Sequence, residues 1–282
     1  MPHFVTPNSH GTLREFNTCH TPGGSTVGGQ FCSGKGSVRG TPTRATSLDH
    51  AIELLMAGRK VQLGRTQQVN TLLHRLASMA LDAKNKGEKA PHYDLCNVTV
   101  PGAKNVFCGS MLRTAEHPNG VPRIAMPQFG GEFRPGSLAS KLPKDHNGGV
   151  DGAQAFISHL KTLGIRTSEG SMPAARLKAS QSELVGAKVA KMMTKTGYNP
   201  GAKPIFVSRD GYVIDGHHRW AAVVGRDAAD GKLGGLRIKV IRVSAPIREI
   251  LKIANRWTKD FGIVSKENKE ARAFSSRHRI WA

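Results

Sequence analysis

PIFVSRDGYVIDGHHRWAAVVGRD, residues Pro204–Asp227, is the stretch that decides the fold. Ile205, Phe206 and Val207 form a short β-type apolar run. Arg209-Asp210-Gly211 is a turn signal, because Gly211 can take positive φ. Tyr212, Val213 and Ile214 resume the strand. Asp215-Gly216-His217-His218-Arg219 then leads into Trp220-Ala221-Ala222-Val223-Val224, a helical run that Gly225 is expected to close. The pattern is strand, tight turn, strand, then an abrupt helix start with polar first residues. A glycine at a strand-to-helix turn, followed by first-turn backbone N–H groups and an Arg, makes an anion site from geometry alone.

In that turn Gly216 lets the backbone approach a ligand without a Cβ. The N–H groups of His217, His218 and Arg219 would point at a phosphate. Arg219 adds a planar charged fork suited to phosphate oxygens. His217 or His218 could donate a hydrogen bond or move a proton. Asp215 could orient a histidine, hold Mg²⁺ through water, or act as base. Each has a plainer reading: Asp215 can cap the helix, and one of two adjacent histidines must point away from any given ligand. Two histidines and an arginine beside a helix start would nevertheless repel one another without an anion, which favours a phosphate site.

DGHHRWAA after a two-strand hairpin resembles the signature of the ParB/sulfiredoxin superfamily in its DGHHR variant. That variant occurs in phage proteins, in ParB-like nuclease or CTPase relatives and in free-serine kinases. Met172–Met193 is similar to the family's opening strand, its polar Gln-Ser-Glu step and its first helix, and Leu236–Trp257 to its closing strand and helix. The resemblance implies an α/β domain with a mixed sheet and flanking helices over residues 165–264. It also implies that Gln181-Ser182-Glu183, ahead of a helix expected over Leu184–Met193, faces the DGHHR turn across a pocket. Gln181 and Ser182 would then touch phosphate, and Glu183 would activate a water or hydroxyl or hold a metal. An ordinary capping role for Ser180 or Ser182, with Glu183 favourable to the helix dipole, explains the same residues equally well. Sulfiredoxins carry a reactive cysteine immediately before the His-Arg pair, where this chain has His217, and residues 109–282 contain no cysteine. Sulfinic ester chemistry therefore lacks its nucleophile. A partition protein's helix-turn-helix domain has too little room after Trp257.

The 282 residues suffice for one large or two small cores. A formal net charge of +21 is tolerable mainly beside a polyanion or spread over a large solvated surface, as in a basic but non-binding protein; nucleic acid, most simply DNA, is the leading partner. There is no apolar run long enough to span a bilayer, and MPHFVTPNSHGTLREF lacks the apolar core of a signal peptide, so a membrane partner and secretion are not expected. The four cysteines, Cys19, Cys32, Cys96 and Cys108, form no dense framework and include no CxxC pair; reduced thiols are expected, and zinc is not.

Residues 1–46, rich in Gly, Ser, Thr and Pro, read as a flexible basic arm. Residues 47–164 read as a helical and irregular module that resembles a segment of actinobacterial phage and prophage proteins. Within it Ser47 caps a helix buried through Ile52, Leu54, Leu55 and Met56 and stopped by Gly58; Val61–Leu63 is extended; and Thr66–Lys86 is an amphipathic helix. Short strands are expected at Cys96–Val100 and Val106–Cys108, and a helix over Val150–Leu163 stopped by Gly164. Residues 265–282 form a basic tail in which Lys266, Lys269, Arg272, Arg277 and Arg279, with Trp281, could grip and stack on nucleic acid; a solvated tail whose Trp281 docks on the protein's own surface explains the same residues equally well.

These observations lead to three expectations. The first is a phage-associated ParB-like protein that binds a nucleotide or nucleic-acid phosphate at Asp215–Arg219, with Mg²⁺ and a nucleoside triphosphate as expected cofactors. Asp215, Glu183 and His218 would serve nuclease or nucleotide-hydrolase chemistry. The second is a virion structural or DNA-packaging protein with a catalytically inactive ParB-like fold and phage capsid or portal partners. The third is a serine-type small-molecule kinase, against which the charge counts. The host cytoplasm or the virion is the expected location.

Overall fold

The computed structural model describes residues 41–88, 92–100, 104–145 and 148–264. The arm up to residue 40 and the tail from 265, with Lys266, Lys269, Arg272, Arg277, Arg279 and Trp281, lie outside the described residues. So do Cys19 and Cys32.

The chain enters through strand β1 (Thr43–Arg44), inside the segment assigned to the arm. Ser47 accepts the His50 N–H at 3.1 Å and so caps α1 (Leu48–Met56). Ala51, Ile52, Leu54 and Leu55 are its buried face. Met56, expected there, is 56 % exposed, because it lies on the far side of the last turn. Strand β2 (Val61–Gln62) leads into α2 (Gln67–Asn85), which buries Val69, Leu72, Leu73, Leu76 and Ala83 at helical spacing. Strands β3 (Val98–Val100) and β4 (Lys104–Asn105) complete a four-stranded sheet in the order β1-β2-β3-β4.

Two expectations fail in this region. Val106–Cys108 is a turn, not a strand, because the hairpin partner of β3 falls two residues earlier. The cysteines on either side of that hairpin, Cys96 and Cys108, are joined in a disulfide with Cα atoms 5.0 Å apart. Their spacing of 12 residues gave no sign of it; the fold-back of β3 on β4 brings them together.

Strands β5 (Gly130–Gly131) and β6 (Val150–Asp151) pair across a long irregular segment and deliver the chain to α3 (Ala153–Thr162), which Gly164 ends at φ +72°. Next come β7 (Thr167–Pro173), β8 (Lys178–Ala179), α4 (Gly186–Thr194), β9 (Ile205–Val207), β10 (Tyr212–Asp215), α5 (His217–Asp227), β11 (Arg237–Val243) and α6 (Ile247–Phe261). A five-stranded mixed sheet runs β7-β11-β9-β10-β8. The β11–β9 and β10–β8 pairs are parallel, and the β7–β11 and β9–β10 pairs antiparallel. The protein is thus a mixed α/β structure with six α-helices among the described residues.

Strand periodicity of two explains how this sheet sits in the molecule. Ile205, Val207, Val213, Ile238 and Val240 face a core shared with α1, α2, α4 and α5. Phe206, Ile214, Ile241 and Val243 face a second core with α3, α6 and residues 112–139. There Phe129 stacks on Phe156 at 4.2 Å between ring centroids, and Trp257 meets Phe156 edge-on at 5.2 Å. The sheet is therefore covered on both sides, and both cores take residues from before and after position 165.

Helix α5 does not stop at Gly225 but runs to Asp227. Gly225 is there for closeness: a Cβ on it would lie 2.4 Å from Leu73 Cδ1 of α2 and 3.1 Å from Met193 Sδ of α4. Asn70 Nδ2 donates to the Gly225 carbonyl at 3.1 Å across the same approach.

Candidate phosphate site at the start of α5

The parallel strands β8 and β10 end on the same side of the sheet. Their next residues, Ser180-Gln181 and Gly216-His217, meet there, as do ligand sites at the carboxyl ends of strands in other α/β sheets. A register shift between Val213 and Asp215 bends the end of β10. Gly216 then takes the left-handed conformation, φ 93° and ψ 21°, as the cap of α5. Side chains are excluded there twice over: a Cβ would be strained at that φ and would lie 2.4 Å from Ile205 Cγ2.

The turn opens onto a pocket of about 180 Å³ lined by Gln181, Asp215, Gly216, His217, His218 and Arg219. Arg123, Met126, Pro127 and Gln128 form its opposite wall, with Met192 of α4 and Ile214. Sequence reasoning missed that wall. It comes from the irregular block, held over the site where Val121 bridges to Gln181 and where Ser182 N–H donates to Val121 O at 2.8 Å. No local pattern in Arg123–Gln128 marks it as site-forming.

The two histidines serve the fold as well as the pocket. His217 is buried, and its Nε2 lies 3.0 Å from Ser180 Oγ and 3.3 Å from Ser180 N. The Ser180 hydroxyl donates to Val213 O at 2.5 Å, so the shorter contact is made by Nε2–H donating to Oγ. The Ser180 N–H contact needs the other tautomer, and the two are alternatives. His218 Nε2 accepts the Val185 N–H at 3.3 Å, which places its proton on Nδ1 and fastens the residue to the start of α4.

Arg219 is only 15 % exposed at its side chain. Its Nη1 donates to the carbonyls of Lys203 (2.5 Å) and Pro204 (3.2 Å), and Nη2 lies 4.0 Å from Asp215 Oδ2. Close by, Lys203 Nζ pairs with Asp151 Oδ2 at 2.9 Å. Burial works against ionisation of Asp151, but Lys203, the Ala153 N–H and Arg219 outweigh it and hold its carboxyl below the usual range. Arg219 is thus held in place by two backbone carbonyls at the edge of the pocket, with the Lys203–Asp151 pair beside it outside the lining.

Not every expected residue reaches the pocket. Ser182 is turned to Val121, its Oγ 3.2 Å from that carbonyl. Glu183 is not among the lining residues; its Oε1 lies 3.9 Å from His92 Nε2. Helix α4 starts at Gly186 rather than Leu184, so Leu184 and Val185 separate Gln181-Ser182-Glu183 from its first turn. Gln181 Nε2 is turned back to the Glu183 carbonyl at 2.5 Å.

Behind Glu183 lies a group the sequence did not flag. Asp94 Oδ1 accepts the N–H groups of Cys96 (2.9 Å) and Leu184 (3.0 Å), and Asp94 bridges to Val185. Enclosure of its carboxyl pushes its pKa up to about 7; the two N–H bonds oppose the rise and the charge of Glu183 adds to it. No group of three or more His, Cys, Asp or Glu residues that could hold a metal occurs among the described residues, and none of their helices is long and apolar enough to cross a membrane. No family profile, curated protein or solved structure matches the chain.

Proposed function

We propose that this is a ParB/sulfiredoxin-like protein of phage or prophage setting that binds the phosphates of nucleic acid, with nucleotide as the smaller version of the same ligand, at the start of α5. One observation carries the reading: the left-handed Gly216 turn opens α5 into a pocket that it shares with Arg219 and Arg123. A helix start and two guanidinium groups make an anion site. The +21 charge of the chain supports a polyanion as its owner. The pocket's 180 Å³ is well below the roughly 300–1,000 Å³ of enclosed small-molecule sites. It suits one or two phosphate groups of a longer molecule better than a whole nucleotide with an acceptor, which a kinase would need.

Binding is favoured over catalysis. His217 and His218 are engaged by Ser180 and Val185, and Glu183 lies off the lining. Asp215 lines the pocket and would hold Mg²⁺ that came in with the phosphates, and the ion would supply further neutralisation of their charge. This arrangement supports the second reading, a DNA-packaging or virion protein with an inactive fold, ahead of nuclease or hydrolase.

The test is direct titration of the full chain with ATP and with a duplex oligonucleotide, each with and without Mg²⁺. Arg219→Ala is expected to weaken binding by about 1.5–3 kcal/mol, the cost of a charged hydrogen bond. Because Arg219 also ties residues 203 and 204 to α5, Arg123→Ala serves as the second variant, with melting curves for both. Unchanged affinity in both variants removes the site. Turnover of either ligand with Mg²⁺ or Mn²⁺ would restore the enzyme reading.

A further inference from the structure

Helices α2 and α4 lie side by side, and their outer faces leave a groove of about 560 Å³ on the surface. The α2 side of it is His74, Ala77, Ser78, Leu81 and Lys84, at spacings of three and four. That stripe lies about 120° around the helix from the core stripe of Leu72, Leu73 and Leu76, and of its members only Ala77 also packs against the core. Its floor is small and apolar, from Ala77, Ala80 and Ala187, and Leu81 stands at its edge 57 % exposed. Its rim is Lys84, Lys188, Lys191 and Lys195, and no lining residue is acidic.

We propose that this groove docks an acidic amphipathic helix of a partner protein. An apolar floor of small residues lets a helix approach closely and takes anchors at every third or fourth position. Four lysines on the rim select carboxylates beside those anchors. The chain's own ends do not fit: residues 265–282 carry five Lys and Arg against two Glu, and residues 1–40 carry three Lys and Arg against one Glu. A nucleic acid would use the lysines but has no use for Leu81 and the alanine floor. The groove side of α2, residues 74–84, is about 15 Å long, which matches about three turns of a docked helix.

The probe is a synthetic acidic peptide of about 16 residues, long enough for a helix to form, with leucines at i, i+3, i+4 and i+7 and glutamates between them. A scrambled peptide of the same composition, a duplex oligonucleotide and anionic phospholipid vesicles are the comparison arms, all titrated against the full chain with hydrogen-exchange mapping. The patterned peptide is expected to protect residues 74–84 and 187–195 and to bind about tenfold or more tightly than the scrambled one. Leu81→Lys is the deciding variant: it adds positive charge, so a purely electrostatic binder would hold on better, whereas helix docking predicts about tenfold weaker binding. Lys191→Glu should weaken it as well, and the exposure of both positions should leave the melting curve unchanged. Equal binding of the two peptides, tighter binding by Leu81→Lys, or protection of the groove by DNA or vesicles instead would each overturn the proposal.

Discussion

At the scale of single residues, the site turns on a few positions with one acceptable side chain. Gly216 is one, since its φ of 93° and the nearby Ile205 methyl exclude a Cβ. Arg219 is another, because two backbone carbonyls hold its guanidinium in place before any ligand arrives. A preset guanidinium loses less freedom on binding, which is why its removal should cost the 1.5–3 kcal/mol expected of a charged contact. Asp94 makes a different prediction. Its carboxyl keeps its proton up to about pH 7 in the folded chain, whereas an unfolded aspartate loses it near pH 4. Between those values folding takes up a proton, so Asp94 lowers stability progressively as pH rises from about 4 to about 7 and no further above. Asp94→Asn mimics the protonated form and keeps an oxygen for the Cys96 and Leu184 N–H groups. The variant's advantage over the parent should grow from about pH 4 to about pH 7 and then stay constant to about pH 8 in urea denaturation. A stability difference that does not change with pH would show that Asp94 is ionised throughout.

Among elements, the contact of α5 with α2 and α4 fixes where the candidate site stands. Gly225 permits it. Replacing a mid-helix glycine by alanine ordinarily stabilises by about 0.4–1 kcal/mol. Here the new methyl would meet Leu73 Cδ1 at 2.4 Å inside a closed core, and overpacking of that kind costs about 1–3 kcal/mol. The second effect is larger, so Gly225→Ala should destabilise the protein. Trimming the obstacle tests the cause: Leu73→Ala should cost less in the Gly225→Ala background than in the parent, because the methyl fills part of the space that leucine leaves. Additive losses in chemical denaturation would mean that the two residues do not compete for the same volume. Elsewhere, Asp210 Oδ1 accepts the Ile247 N–H at 3.0 Å, so the turn between β9 and β10 also fastens the start of α6.

For the whole molecule, the governing quantity is the +21 charge. If it serves nucleic acid, binding should be largely indifferent to sequence and steeply dependent on salt, each neutralised phosphate contributing about −0.9 to the slope of log K against log salt on duplex DNA. Removing residues 266–282 deletes five basic and two acidic side chains. The pocket residues all lie at or before Arg219, so the truncation should make the slope shallower while leaving ATP binding at α5 unchanged. A slope near zero in the full chain would assign the charge to solvation alone, and the DNA partner would fall with it.

The sequence by itself determined the local structure where local forces dominate. Two short apolar runs about a turn glycine at 211 specified the β9–β10 hairpin; an Asp-Gly step specified the start of α5; a capping serine and three-and-four spacing specified α1 and α2 respectively, while α6 was expected only from the family resemblance. These signals rest on neighbours a few residues apart, so they can be read without the fold. The polar edge strand β7, TSEGSMP, escaped notice because its strand character comes from seven residue pairings to β11, not from its own side chains. The Cys96–Cys108 bond, the length of α5 beyond Gly225 and the wall of Arg123–Gln128 over the turn were likewise decided by tertiary structure. It also decided which way each polar side chain of the DGHHR turn points. A helix turns about 100° per residue, so only packing against Ser180, Val185 and Lys203 settled that His217 is buried, His218 holds α4 and Arg219 remains beside the pocket.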